Sequence, residues 1–393
     1  MHSAKPLTVH IRLTKACNAD CSYCSSWQGS PDARMSPAEL RRALEFVLST
    51  CWDALGVRPT HITAQFVGGE ISSIPLAELK EHVQVVEQVC AQHGMSVIAG
   101  AQSNLILTER KAVQLYDLFS GRLGTSIDLE SDKRTVAGDA ERYRVIWKTS
   151  DSYLRKRRSP PGAIFVVEPG GAPAAKRHML EAARSARALT LRPVFTGGIK
   201  TVTVNSGPDF ASVFTELFDT WFMRLPIIVE PFFQLLESRL TELESSTAAS
   251  NSSCAFQSDC TQKSINIDPN GDLHVCLEMA DAGFPAIGNA LRGEWFHDAI
   301  SVYSSRKENL SQDCIDCPYL ASCRGGCMYE SIAQGHGVHG KSDYCSTWKA
   351  IFGRIDTALQ EYGVDAVREW ALRLATRHEN LRCEGVAKSI LQA

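Results

Sequence analysis

Cys17-Asn-Ala-Asp-Cys21-Ser-Tyr-Cys24 places three thiols on one short loop, directly after the alternating stretch LTVHIRL around residues 8–14. Three thiolates at CxxxCxxC spacing can hold three irons of a [4Fe–4S] cube and leave the fourth without a protein ligand. An open iron binds a substrate or cofactor directly, whereas a cluster held by four cysteines mainly carries electrons. A zinc loop is the competing reading. Zinc ligands, however, usually come as CxxC pairs with a matching second pair close by. The spacing, the aromatic Tyr23 and the position at a first strand-to-helix loop favour iron and sulfur.

Working outward, strand and helix patterns alternate over about the first 225 residues. Ser36-Pro37-Ala38-Glu39 is a capping box with proline at the first helical position, and it opens an amphipathic helix to about Cys51. HITAQFV (61–67) reads as a second strand, and a helix from about Pro75 is ended by Gly94. SVIAGA (96–101), RLGTSID (122–128), AIFVVE (163–168) and TLRPVF (190–195) read as further strands. TERKAVQLYDLF, APAAKRHMLEAARSARAL and PDFASVFTELFDTWF fill helical slots between and after them. Such alternation predicts an α/β fold with a parallel sheet.

The triplet, and Gly68-Gly69-Glu70 at the end of the second strand, resemble the signatures of the radical S-adenosylmethionine superfamily. The resemblance implies a partial (β/α)6 TIM-like barrel with chemistry at the carboxyl ends of its strands. It also implies that S-adenosylmethionine chelates the open iron and is reductively cleaved to a 5′-deoxyadenosyl radical that takes a hydrogen from a C–H bond. Cys17, Cys21 and Cys24 would then be the catalytic cluster ligands. Glu70 would receive the cofactor's amino group, with Gly68 and Gly69 allowing close backbone approach. Ser103 and Asn104, after the third strand, and Ser126 and Asp128, at the end of the fourth, are placed to bind ribose or carboxylate. Strand-end turns and helix caps are the rival reading for each of these polar residues. Tyr23 would pack near the adenine, or else simply cover the cluster.

Eight more cysteines lie between 254 and 345, against only Cys51, Cys90 and Cys383 standing alone. The pattern GxxxxC (Gly271 to Cys276), then CxxCxxxxxCxxxC (Cys314 to Cys327) and a late Cys345, resembles the SPASM extension of radical enzymes. INIDPNGDLHVC reads as a hairpin turning at Pro269-Asn270-Gly271 and delivering Cys276. By resemblance, Cys254, Cys260, Cys276 and Cys327 hold a first auxiliary [4Fe–4S] cluster. Cys314, Cys317, Cys323 and Cys345 hold a second, making three clusters in all. Two zinc sites are the alternative, since CxxC spacing by itself does not exclude them. The domain plan is then a barrel over 1–225, a linker helix and the polar run SSTAASNSS over 226–250, a SPASM domain over 251–350 and a helical tail over 351–393.

Composition bounds the partners. The 393 residues carry a net charge of −3 and 22% charged residues, with no basic stripe interleaved with aromatics, so no nucleic-acid surface is expected. No signal peptide or membrane span is found, and a cytoplasmic protein is expected. Thiols stay reduced there, which favours metal ligation over disulfides for the 14 cysteines.

The reaction is read from three features. Sulfatase-maturing relatives of this extension carry an acidic residue right after the GxxxxC cysteine; here that position is Leu277, and Glu278, next in line, would serve as the base only if the backbone turns differently. Strand one begins within ten residues of Met1, so a leader-binding domain ahead of the triplet is not expected, as in cyclophane-forming peptide maturases. Cys51, Cys90 and Cys383 are the only spare thiols for a redox-neutral epimerase, and none is placed at the barrel mouth. These features favour net oxidation of a precursor-peptide side chain to a crosslink, with electrons supplied by an external flavodoxin- or ferredoxin-type reductant. Dehydrogenation or epimerisation of a sugar or aminocyclitol is the alternative.

Overall fold

The computed structural model describes residues 5–24, 32–194, 208–244 and 254–391, with the side chains of 382–391 left aside. The polar run SSTAASNSS and the Cys383 side chain lie outside the described part. Two compact units emerge, and they interleave along the chain. The first gathers residues up to Leu154 together with Asp259–Ser305; the second gathers most of the remainder.

In the first unit the strands are β1 (Lys5–Arg12), β2 (Asp20–Cys21), β3 (Pro59–Val67), β4 (Ser96–Ser103), β5 (Leu123–Ser126) and β6 (Arg134–Thr135). The second unit holds β7 (Gly162–Val167), β8 (Leu189–Pro193) and β9 (Val229–Glu230). The chain then returns to the first with β10 (Ser264–Ile267), β11 (Asp272–His274), β12 (Gly288–Asn289) and β13 (Glu294–Trp295).

β1, β3, β4 and β5 pair in parallel in sequence order. β1 turns Leu7, Val9 and Ile11 inward, each fully buried, which is the two-residue period that its sequence shows. Its other edge is covered by β10 in parallel register, Thr8 opposite Ser264 and Ile11 opposite Ile267. β10 to β13 continue as an antiparallel meander. The turn after β10 has Gly271 at φ 86° with its N–H on the Asp268 carbonyl, so the expected hairpin forms where Pro269-Asn270-Gly271 stand.

The capping box is complete. Ser36 Oγ accepts from the Glu39 N–H, and the Glu39 carboxylate accepts from the Ser36 N–H at 2.8 Å. The helix runs Pro37–Leu55, one turn beyond the expected end, because Gly56 at φ 67° closes it. Helices Leu76–Gln92 and Glu109–Leu118 occupy the following slots. A further helix, Ala140–Arg157, was not expected from the sequence. It buries Tyr143, Trp147, Ser150 and Leu154, a stripe in which two aromatics and a serine stand in for aliphatics.

The second unit has β7, β8 and β9 in parallel. Helices Ala172–Arg184, Pro208–Trp221, Phe232–Glu244 and Cys345–Tyr362 pack around an aromatic core. Phe214 meets Phe232 and Trp348 edge-on at 6.1 and 5.5 Å between ring centroids. The tail is helical over Val364–Leu391, as its pattern predicts. Among the described residues no helix is long and apolar enough to cross a membrane.

Candidate active site and thiol centres

The three-thiol loop leaves the carboxyl end of β1 and is fixed at both ends by backbone. Cys21 lies on β2 and pairs with Arg134 on β6, while the Cys24 N–H donates to the Cys21 carbonyl at 3.0 Å. At the other end the Glu70 N–H donates to the Ala16 carbonyl at 2.8 Å. Gly69, at φ 47°, makes that approach possible: a Cβ there would stand 2.3 Å from the Ala16 oxygen. Gly68 has the same logic against a side chain, since its Cβ would fall 2.2 Å from Arg12 Cγ. The two glycines of Gly-Gly-Glu thus let β3 lie against the residues that lead into Cys17.

Glu70 is buried, and chain donors engage its carboxylate. Oε1 accepts from Ser103 Oγ at 2.8 Å and from the Ser72 N–H at 3.0 Å; Oε2 accepts from the Asn104 N–H at 2.7 Å. Burial pushes its pKa up while these hydrogen bonds pull it down, with burial ahead. Glu70, Ser103 and Asn104 are therefore brought together at the ends of β3 and β4. Asn104 faces the loop: its Nδ2 reaches Cys17 Sγ at 3.6 Å and Asn18 Oδ1 at 2.8 Å.

Ser126 and Asp128 are engaged locally. Ser126 Oγ accepts from Gln102 Nε2 at 3.2 Å. Asp128, buried, accepts from the backbone N–H groups of Glu130 and Ser131 at 3.3 and 3.0 Å and from Ser131 Oγ. That is a strand-end turn, the rival reading raised for these residues.

Arg134 was missed by the sequence reading. Its guanidinium is buried between the rings of Tyr23 and Tyr143, 5.9 and 5.6 Å from their centroids, and its Nε has no hydrogen-bond partner among the described residues. Burial pushes the Cys21 thiol up and Arg134 pulls it down. The only sequence signal was an arginine six residues beyond Asp128 in a polar turn.

A second ionic cluster stands behind the loop. Arg12, buried, donates to Asp281 at 2.6 and 3.0 Å and lies 3.3 Å from Asp268; Lys15 reaches Asp268 at 2.9 Å. Asp281 ends the short helix Leu277–Asp281, whose N-cap is Cys276, its Sγ accepting from the Met279 N–H at 3.4 Å. Glu278 lies on that helix, half-buried and within the electrostatic reach of Arg12.

Cys260 and Cys276 belong to the first unit, Cys254 and Cys327 to the second. Cys314, Cys317, Cys323 and Cys345 all lie in the second unit and line one pocket with Leu320, Trp348 and Phe352. Crowding is evident in Cys323: burial and the neighbouring Cys345, Cys314 and Cys317 push its thiol up to about 12. Such a set of thiols fits a metal cluster, whose positive charge relieves that repulsion. Among the described residues, no side chains converge on one point to hold a single metal ion, and no cysteine forms a disulfide.

No family model matches the sequence, and neither does any curated protein. Solved structures do match. Histidine-tagged anSMEcpe with bound AdoMet is 17% identical, with a TM-score of 0.70 over 95% of this chain and 99% of that one. Native anSMEcpe with bound AdoMet and the Cp18Cys peptide is 16% identical, with a TM-score of 0.68 over 91% and 99%. SuiB of Streptococcus suis bound to the precursor peptide SuiA is 15% identical, with a TM-score of 0.55 over 86% and 74%. At these identities the likeness is one of fold.

Proposed function

We propose that this chain, which has the fold of the radical S-adenosylmethionine enzymes with a SPASM extension, is itself such an enzyme and oxidises a side chain of a peptide. The observation that carries the reading is the three-thiol loop cradled on Gly69, with the buried Arg134 paired to Cys21 across β2 and β6.

A [4Fe–4S] cluster with S-adenosylmethionine supplies an electron to the sulfonium and a radical that abstracts hydrogen. The chain's own part is to hold and orient. Cys17, Cys21 and Cys24 hold three corners. Arg134 offers a desolvated cation, with an Nε–H that has no hydrogen-bond partner among the described residues, to the cofactor's carboxylate. Glu70 Oε2, which accepts from the Asn104 N–H, would be the acceptor for the cofactor's ammonium. Tyr23 walls the site beside Arg134. Ser126 and Asp128 hold the end of β5 in shape and contribute backbone groups to the ribose.

By the family resemblance, Cys254, Cys260, Cys276 and Cys327, and separately Cys314, Cys317, Cys323 and Cys345, would hold two auxiliary clusters, which would supply an acceptor for the second electron. Glu278 is the base that accepts the substrate proton. Leu277 in the adjacent position, and the peptides seen on anSMEcpe and SuiB, favour a precursor peptide as substrate and a crosslink as product. A flavodoxin- or ferredoxin-type protein is the electron donor.

Anaerobic incubation of the reconstituted protein with dithionite and S-adenosylmethionine tests the core of the proposal. 5′-Deoxyadenosine is the expected product, and its absence rejects radical chemistry. Co-expression with candidate precursor peptides, followed by mass spectrometry for a loss of two hydrogens, tests the substrate class.

A further inference from the structure

Arg306 is completely buried in the second unit. Its Nη1 donates to the carbonyls of Val338 and of Gly340, the latter at 2.8 Å. Its Nη2 donates to the carbonyls of Gly325 at 2.7 Å and Gly326 at 3.4 Å. One side chain thus joins two loops. Gly325 and Gly326 themselves line the pocket of Cys314, Cys317, Cys323 and Cys345; Lys341 and Ser342, which follow Gly340, line it from the other loop. Gly325 takes φ 85°, and a Cβ there would meet Leu310 Cδ2 at 2.7 Å and Arg306 Nη2 at 3.3 Å, so glycine is what lets the loop seat on the arginine.

A guanidinium keeps its charge at every accessible pH. Here that charge is one peptide behind the pocket wall, in a medium of low dielectric, where it is screened far less than an exposed cation. Lys341 offers the contrast: it lines the same pocket but is exposed and paired with Asp313 at 2.6 Å. Reduction makes a cluster one unit more negative, so a buried cation beside it favours the reduced form.

We propose that Arg306 is a positioning residue for the C-terminal four-thiol centre, clamping its two wall loops and raising the reduction potential of the cluster they enclose. This rests on the reading of those four thiols as ligands of a [4Fe–4S] cluster.

The test uses the full chain, reconstituted anaerobically, with Arg306→Gln, Arg306→Lys and Lys341→Gln compared with the parent. Iron per chain, circular dichroism and an EPR-monitored redox titration are the readouts. In Arg306→Gln, at the parent's midpoint, the ratio of reduced to oxidised C-terminal cluster is expected to fall tenfold or more, a shift of about 59 mV for one electron. Arg306→Lys, which keeps the charge, and Lys341→Gln, which removes a screened one, should each stay within threefold of the parent.

Unchanged potentials in a fully loaded Arg306→Gln overturn the proposal, as do equal shifts in the Gln and Lys variants. If Arg306→Gln cannot be loaded, Arg306→Lys decides. A loaded Lys variant at the parental potential supports the proposal, and loss of the centre in both overturns the electronic role. A parent with no iron in this centre rejects the cluster reading. Absence of 5′-deoxyadenosine rejects the radical chemistry and leaves the potential measurement standing.

Discussion

The two thiol centres differ in what surrounds the sulfur. Around Cys17, Cys21 and Cys24 the chain places polar groups, with Asn104 Nδ2 on Cys17 and Arg134 paired with Cys21 across β2 and β6. Around Cys314, Cys317, Cys323 and Cys345 it places Leu320, Trp348 and Phe352, with Tyr319 stacked on Phe352 at 5.0 Å between centroids. The buried charge there is turned to the loop carbonyls. The site with four combines these apolar side chains with the charged and polar Asp313, Lys341, Ser342 and Lys349 at its wall. On the proposed function, the lining as well as the thiol count would distinguish a centre for chemistry from one for electron transfer.

The strongest way to break this comparison is to remove thiols from each side. Cys17→Ala, Cys21→Ala and Cys24→Ala together should abolish 5′-deoxyadenosine formation while the remaining iron stays bound. Cys314→Ala with Cys323→Ala should retain at least one round of cofactor cleavage but lose product turnover. Loss of all iron in the first variant, measured by a ferrozine assay, would show that the centres do not assemble independently.

Next in size is Arg12→Met. It leaves Asp281 and Asp268 buried with one cation gone, and breaking such a network costs about 3–5 kcal/mol. Urea unfolding should register it, and iron in the C-terminal centre should be unaffected, because the network lies within the first unit. Gly69→Ala then isolates the cradle. A methyl group 2.3 Å from the Ala16 oxygen forces the loop off β3 at a cost of about 1–3 kcal/mol, read as lower iron occupancy of the N-terminal centre alone.

The smallest effect concerns the scaffold of the second unit. Burial raises the Glu230 carboxyl to about 7 from 4.5. The unfolded chain then releases this proton first, so stability falls as pH rises from about 4.5 to about 7. Glu230→Gln should flatten that decline, gaining about 1–3 kcal/mol at pH 8 and little at pH 4.5. A parent and variant with parallel profiles of Tm against pH would rule out the shift.

Much of this was legible in the residues. The alternation in LTVHIRL, the capping box at Ser36 and the turn at Gly271 are local signals, and each acts locally in the fold. The helix Ala140–Arg157 escaped notice because its buried stripe is Tyr143, Trp147, Ser150 and Leu154 among charged neighbours. Asp139, whose Oδ1 accepts from the Arg142 N–H at 2.9 Å, was its available start signal. Arg12, Arg134 and Arg306 were illegible for a different reason. A charged residue in a sequence reads as a solvated one, and only long-range contacts show that these three are buried. At Glu70 the chemistry was visible but not its occupancy by Ser72, Ser103 and Asn104.

The strand that leads into Cys17 is synthesised well before residues 264–267, which cover one of its edges. Those residues emerge about 250 positions later, on the order of 10–50 s at about 5–20 residues per second. Through that interval one edge of β1 presents unpaired amide groups next to three thiols. A chain cut before Asp259 never escapes that state, so its product should collect in aggregates however well its helices form. For this molecule, the cysteine-rich region is also the late-arriving cover for a strand made about 250 residues before it.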